Sequence, residues 1–157
     1  MTPETIPKTL QELEFTRDIP LEQLEKLAAL AFEVSFHEDF TIFRETDAGE
    51  LLYLIKSGQV ALYVSVPGKG RMTILTLGPG QILAWSSLFP SGRKTASART
   101  VTPTEAIAFN AAQLRDAMDE DKELGYAILW RVADVVANRL KATRLQLLDI
   151  FAPSDSY

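Results

Sequence analysis

GQILAWSSLFPSGRKTASA, residues 80–98, sets Gly, Ser and Thr beside Arg93 and Lys94, contains no acidic side chain, and carries Trp85 in its middle. Small residues allow a close backbone approach, and adjacent cations supply charge, so the stretch has the composition of an anion cradle. The tryptophan is the discordant member. Working outward, the turn LGPGQ precedes the run and KTASARTV, which reads as a β-strand, closes it. The cradle is therefore predicted to lie between two strands.

The surrounding segments, 32–110, continue in the same way. FEVSF alternates apolar and polar residues, and TIFRETD follows a turn at 37–39. LLYLI runs through Lys56-Ser57-Gly58 into QVALYVSV, PGKG at 67–70 forms a hairpin loop into RMTILTL, and EAIAF completes the set. About eight short strands at this spacing predict a jelly-roll β-roll. Residues 1–31 read as helices: Thr9 and Glu12 have capping-box spacing, Pro20 suits a first helical turn, and Leu21, Leu24 and Leu27 repeat at helical period. Residues 111–151 turn helical again, with AAQLRDAM as a short helix and Asp119, Glu120, Asp121 and Glu123 at the start of a long one. Along it Leu129, Val132, Val136, Leu140, Thr143, Leu147 and Ile150 form a heptad-like seam, which predicts a homodimer through the C-terminal helix. Leu124, Ile128 and Val135 form a second stripe that faces elsewhere, so that one stripe can cover the barrel and the other is left for a partner helix; the alternative is that both stripes pack on the chain's own sheet.

At 157 residues, 46% hydrophobic and 24% charged, residues 1–157 fit one globular domain, mainly β with flanking helices. No apolar run approaches the roughly 20 residues of a membrane span, and no signal-peptide pattern opens the chain, which points to the cytoplasm. With no cysteine and a single histidine, His37, thiol chemistry and zinc, haem or iron–sulfur sites are excluded, and no metal or cofactor is expected. No Ser–His–Asp spacing is visible, and His37 sits alone in a turn, so no catalysis is expected. The net charge of −5 argues against nucleic acid. Between residues 51 and 104 there is no Asp or Glu, while Lys56, Lys69, Arg71, Arg93, Lys94 and Arg99 are basic. That concentrates anions locally, although strand-rich segments also deplete acids on propensity grounds alone.

The order of elements resembles that of the cyclic nucleotide-binding domain family, the effector domain of Crp/Fnr-like regulators. The residues that carry the resemblance are FEVSFHEDFTIFRETDAGELLYLIKSGQVALY (32–63), with its turn glycine at Gly58 and its acidic-Gly-Glu turn at 47–50, LGPGQIL (77–83) and KTASARTVTPTEAIAF (94–109). It extends over residues 10–148. What the resemblance implies is a short helix whose amides cup a cyclic phosphate, an Arg pairing with the phosphate, and a Glu accepting from the ribose hydroxyl. The family's F-G-E falls on Leu83-Ala84-Trp85, and its Arg, nine residues after the Glu, falls on Lys94, followed by Thr95.

All three diagnostic positions differ. Ala84 stands for the Gly, Trp85 for the Glu, and Lys94 keeps charge without the guanidinium's forked geometry. Losing the Glu contact costs about 1.5–3 kcal/mol, so cAMP or cGMP binding is disfavoured. The candidate ligand set is Ala84, Trp85, Ser86, Ser87, Arg93, Lys94 and Thr95, with Trp85 either plugging the core or stacking on a ligand. As a ligand lysine, Lys94 is expected to tolerate truncation to Ala with little change in melting point. A-W-S-S-L is similar to the G-W-S-x-L of small bacterial members that consist of this domain alone. Crp/Fnr-type regulators continue into a helix-turn-helix, whereas only APSDSY follows Phe151, so direct DNA binding is not expected. These features predict a non-catalytic regulatory module that binds a nucleotide-like or other small anion, or no ligand. The alternative is a scaffold that docks a protein partner on its acidic helices.

Overall fold

The computed structural model describes residues 5–90 and 94–151, with side chains through Ile150. Helices α1 (Thr5–Glu12) and α2 (Leu21–Leu30) lead into eight strands: β1 (Phe32–Phe36), β2 (Thr41–Phe43), β3 (Leu51–Ser57), β4 (Val60–Val66), β5 (Gly70–Leu77), β6 (Ile82–Leu83), β7 (Ser97–Thr100) and β8 (Thr104–Asn110). A single 3₁₀ turn, Trp85–Leu88, separates β6 from β7. Helices α3 (Ala111–Glu120) and α4 (Lys122–Phe151) follow. The strands form two antiparallel four-stranded sheets, ordered β1-β8-β3-β6 and β2-β7-β4-β5. Consecutive strands switch sheets except at the β4–β5 hairpin, which stays within one sheet, as a jelly-roll β-roll allows.

Strand alternation divides the core in two. Leu52 and Leu54 of β3 and Ile107 and Phe109 of β8 face the helices, where they meet Leu10, Leu24 and Leu27 of the N-terminal helices and Leu114, Leu124 and Ile128 of α3 and α4. The intervening residues point into the roll. On β8 these are the small Ala106 and Ala108, both buried, so that face leaves interior space. Ile55, Val60, Leu77, Leu83, Ala84 and Ala98 form the inner cluster, with Phe43 and Tyr53 packed at its margin. Each fully buried Leu or Ile contributes about 1.5–3 kcal/mol, so the larger helix-side cluster dominates stability.

Local signals set the element boundaries. Gly58 turns β3 into β4 at φ +96°, and a Cβ there would come within 2.5 Å of the Pro103 carbonyl oxygen. Only glycine fits both the conformation and the space. Asn110 caps α3 by accepting from the Gln113 amide at 3.0 Å, and Asp121 caps α4 by accepting from the Glu123 and Leu124 amides at 3.1 Å each.

Two helix-start expectations are corrected. Thr9 lies inside α1, where its hydroxyl donates back to the Thr5 carbonyl at 2.9 Å; an i−4 bond of this kind leaves it no capping role. Asp119 and Glu120 end α3 rather than start α4, so Asp121 alone of that acidic run carries the cap. It also takes Lys26 Nζ from α2 at 2.7 Å, and these contacts hold its carboxyl down at about 2, the Lys26 hydrogen bond being the largest cause.

Candidate functional site

Ala84 enters the 3₁₀ turn at φ 67°, ψ 34°, a left-handed conformation that costs a non-glycine residue about 1–2 kcal/mol. Ala84, the position on which the family resemblance places a Gly, therefore carries this strain itself. The next residue, Trp85, turns to the helix side. Its ring packs against the helix-facing cluster and lies edge-on to Phe89, centroids 6.0 Å apart. Ala84 and Trp85, adjacent in sequence, thus belong to opposite sides of the sheet.

Ser87 is buried. Its hydroxyl donates to the Leu51 carbonyl at 3.0 Å and accepts from Lys94 Nζ at 2.5 Å. Lys94 is only 5% exposed. Its ammonium stands 5.1 Å from the centroid of the Phe43 ring, inside the roll rather than at its surface. The main chain fixes this placement: the Lys94 amide donates to the Asp47 carbonyl at 3.0 Å, and the Thr46 amide donates to the Lys94 carbonyl at 2.8 Å. Burial pushes the Lys94 ammonium below the ordinary lysine value, and the Asp47 charge partly offsets this.

Gly49 explains how the lysine fits. A Cβ at that position would overlap Lys94 Nζ and Ser87 Oγ and approach Lys94 Cε within 2.8 Å. The acidic-Gly-Glu turn is thus more than a turn, because its glycine makes room for the buried amine. Beside it opens a cavity of about 370 Å³ lined by Ile42, Phe43, Asp47, Glu50, Tyr53 and Lys94, among others. Burial raises the Tyr53 phenol above its ordinary value, so the hydroxyl is neutral at physiological pH. The cavity therefore offers a cation at its inner end, apolar and aromatic walls, and two carboxylates from the 47–50 turn.

Of the candidate ligand residues, the structure brings Ser87 and Lys94 together. Trp85 is not among the residues lining this cavity, Ser86 is half-buried and Thr95 is exposed, and Arg93 lies outside the described residues. Sequence reasoning missed Phe43, Asp47, Gly49 and Glu50 as parts of the site. The usable signal was a glycine in a turn that needs no positive φ. A larger cleft of about 560 Å³ lies between α4 and the turn before β6, where it includes Asp18, Gln81, Trp130, Asp134 and Arg139 in its lining. Arg139 donates to the Ile82 carbonyl there at 2.8 Å. Acids and guanidiniums line that cleft in balance, so no net charge points into it.

The predicted helix seam is also redistributed. Val132 is 2% exposed in the chain's own core and Val136 packs against the same cluster, because α4 lies on the sheet through Leu124, Ile128 and Val132. Leu129, Leu140, Thr143 and Leu147 stay exposed. The outward stripe instead runs through Tyr126, Ala133, Leu140 and Leu147, spaced by sevens, with Trp130 and Ala137 alongside, all of them exposed. Residues 141–150 are exposed on every face.

Among the described residues no cluster of His, Asp or Glu could hold a metal ion, and no helix is long and apolar enough to cross a membrane. The cyclic nucleotide-binding domain model matches residues 33–121. The chain is 33% identical over 118 residues to the CRP-like cAMP-activated global transcriptional regulator of Mycobacterium tuberculosis, an overlap of 74% of this chain and 50% of the regulator. It thus spans about half the length of that curated relative. A solved Geobacter metallireducens GS-15 structure named for cyclic nucleotide binding superposes with a TM-score of 0.76 at 31% identity, over 85% of this chain and 97% of that one. A cyclic nucleotide-binding domain of Methylobacillus flagellatus KT gives 0.81 at 22% identity, over 97% and 85%, and speaks to the fold alone. With the two-sheet roll, the short turn after β6 and the long final helix in the family's order, the chain belongs to the cyclic nucleotide-binding domain family.

Proposed function

We propose that this domain is a non-catalytic sensor module whose roll cavity holds a small anion other than a cyclic nucleotide, with Lys94 as the counter-charge. The observation that carries this is the placement of Lys94, which is 5% exposed, has its Nζ bonded to Ser87 Oγ and is among the residues that line the cavity. A lysine binds as a point charge and does not fork across two phosphate oxygens. At the position that aligns with the family's ribose-binding Glu, Trp85 offers no acceptor and packs toward the helices. The carboxylates of Asp47 and Glu50 on the cavity wall favour ligands small enough to keep their charge at the Lys94 end.

The domain works as a homodimer through the outward stripe of α4. Leu140, Leu147, Leu148 and Ile150 are at least half exposed in the single chain, and a second copy of the same stripe would cover the first two. The scaffold alternative draws on the same observation, since Leu145, Leu148 and Ile150 flank the stripe and suit a partner helix.

Titration with cAMP, cGMP, inorganic phosphate and small carboxylates, followed by the chemical shifts of the Ser87 and Lys94 amides, tests the site. Phosphate or a carboxylate should shift both, and cAMP should bind at least about tenfold more weakly than it binds a site with the Glu contact. Tight cAMP binding, or no response of either amide to any anion, would overturn it.

A further inference from the structure

Lysine and arginine carry the same charge but different chemistry. A guanidinium stays protonated, whereas a lysine amine that has lost its proton attacks carbonyl carbon. Lys94 is among the residues lining a solvent-open cavity that Phe43, Leu51 and Tyr53 also wall. Its hydrogen-bond partner is one neutral hydroxyl, Ser87 Oγ; Gly49 and the Phe43 ring pack near it, and the Asp47 charge acts on it from farther off. Among the described residues no carboxylate comes within ion-pair distance of it. An amine held dry, beside an aromatic ring, with a cavity in front of it is placed as a nucleophile. Burial lowers its pKa, which enlarges the free-amine fraction.

We propose, resting on the assignment of this cavity as the ligand site, that it captures a small aldehyde as a reversible imine on Lys94 Nζ. The ammonium first gives up one proton. The nitrogen lone pair then attacks the carbonyl carbon, a C–N bond forms and the carbonyl π pair moves onto oxygen. Proton transfer from nitrogen to that oxygen leaves a neutral carbinolamine. Return of the first proton to its hydroxyl lets water depart as the nitrogen lone pair closes the C=N bond. The iminium keeps the single positive charge that Lys94 had, one water is released, no electron is transferred, and hydrolysis reverses every step. Ser87 Oγ, bonded to Nζ and to the Leu51 carbonyl, is placed to relay the proton. Gly49 packs so closely on Nζ that a Cβ would overlap it.

The test is incubation of the protein with glyoxylate and sodium cyanoborohydride, which fixes an iminium as a secondary amine, followed by peptide mass mapping over time. Lys94 should be labelled faster than the exposed Lys8, Lys69 and Lys141 of the same molecules. Lys94→Arg should lose that label and keep the others, and if this variant does not fold, the comparison within the wild type still decides. Labelling of Lys94 no faster than the exposed lysines overturns the proposal. Glycolate, which has the carboxylate without the carbonyl, separates the two levels. If glycolate shifts the Lys94 amide while no adduct forms, imine capture is refuted and the anion site stands; if glycolate has no effect and no adduct forms, both fall.

Discussion

Replacing Lys94 by methionine separates the charge of this side chain from its packing. Methionine retains most of the buried stem volume and removes the ammonium. Ser87 Oγ keeps its bond to the Leu51 carbonyl, so no polar group is orphaned by the change. The folded protein bears the desolvation of the lysine, and that cost disappears in the variant. Near neutral pH, Lys94→Met should therefore be stabilised by about 1 kcal/mol, or about 2–4 °C in melting point for a domain of this size. Lys94→Ala instead deletes three buried methylenes at about 0.8 kcal/mol each and should lose about 2 kcal/mol. The sequence alone predicted no such loss, because it treated Lys94 as a ligand lysine and not as a packed side chain.

The pH dependence has a definite sign. The native pKa of Lys94 is lowered from 10.5 by burial, so between the native value and 10.5 the unfolded chain binds more protons. Wild-type stability accordingly rises with pH through that window. The methionine variant lacks the rise, and its advantage shrinks as the pH approaches 10.5. Urea unfolding of both proteins at about pH 7 and about pH 10 measures this directly. A variant destabilised by about 3 kcal/mol or more at pH 7 would refute the reasoning, because that is the signature of a broken buried ion pair.

Asp121→Asn should lower the melting point and flatten acid denaturation. The carboxyl is held at about 2 against an ordinary 3.8, so its contribution is complete above the unfolded value and is lost as pH falls through the native one; an unchanged acid limb would contradict the cap. Val132→Ala should cost about 1.5–3 kcal/mol in monomer stability, as expected of a side chain 2% exposed, whereas a variant that altered only oligomeric state would return Val132 to the helix seam. Leu140→Glu should leave unfolding at low concentration within about 0.5 kcal/mol and shift sedimentation to the monomer; retention of the dimer would remove the outward stripe from the interface.

The β-roll was legible because short β-prone runs are bounded by turn residues: FEVSF alternates apolar and polar residues, whereas QVALYVSV and EAIAF read as strands by length and flanking turns, since both of their faces are apolar. The helices were legible as helices but not in their orientation. Two apolar stripes run along α4, and pattern alone cannot tell Val132 and Val136, which pack on the sheet, from Ala133 and Ala137, which face outward. Small residues carry little hydrophobic signal, so the stripe with the alanines went unseen. In the site, the departures at Ala84, Trp85 and Lys94 were visible in the letters. The direction of Trp85 and the burial of Lys94 were not, since a tryptophan packs equally well on either side of a two-layer core and a lysine is buried only when tertiary structure makes room. That room comes from Gly49, 45 positions away in the chain.

The most direct test of the anion site is a crystal structure of the domain grown with selenate, located by the anomalous scattering of selenium. An anomalous peak within hydrogen-bond distance of Lys94 Nζ and Ser87 Oγ, with the Trp85 ring still packed toward α3 and α4, is the predicted result. Lys94 turned out to solvent, or selenate bound only at surface arginines with the roll cavity empty, would contradict it.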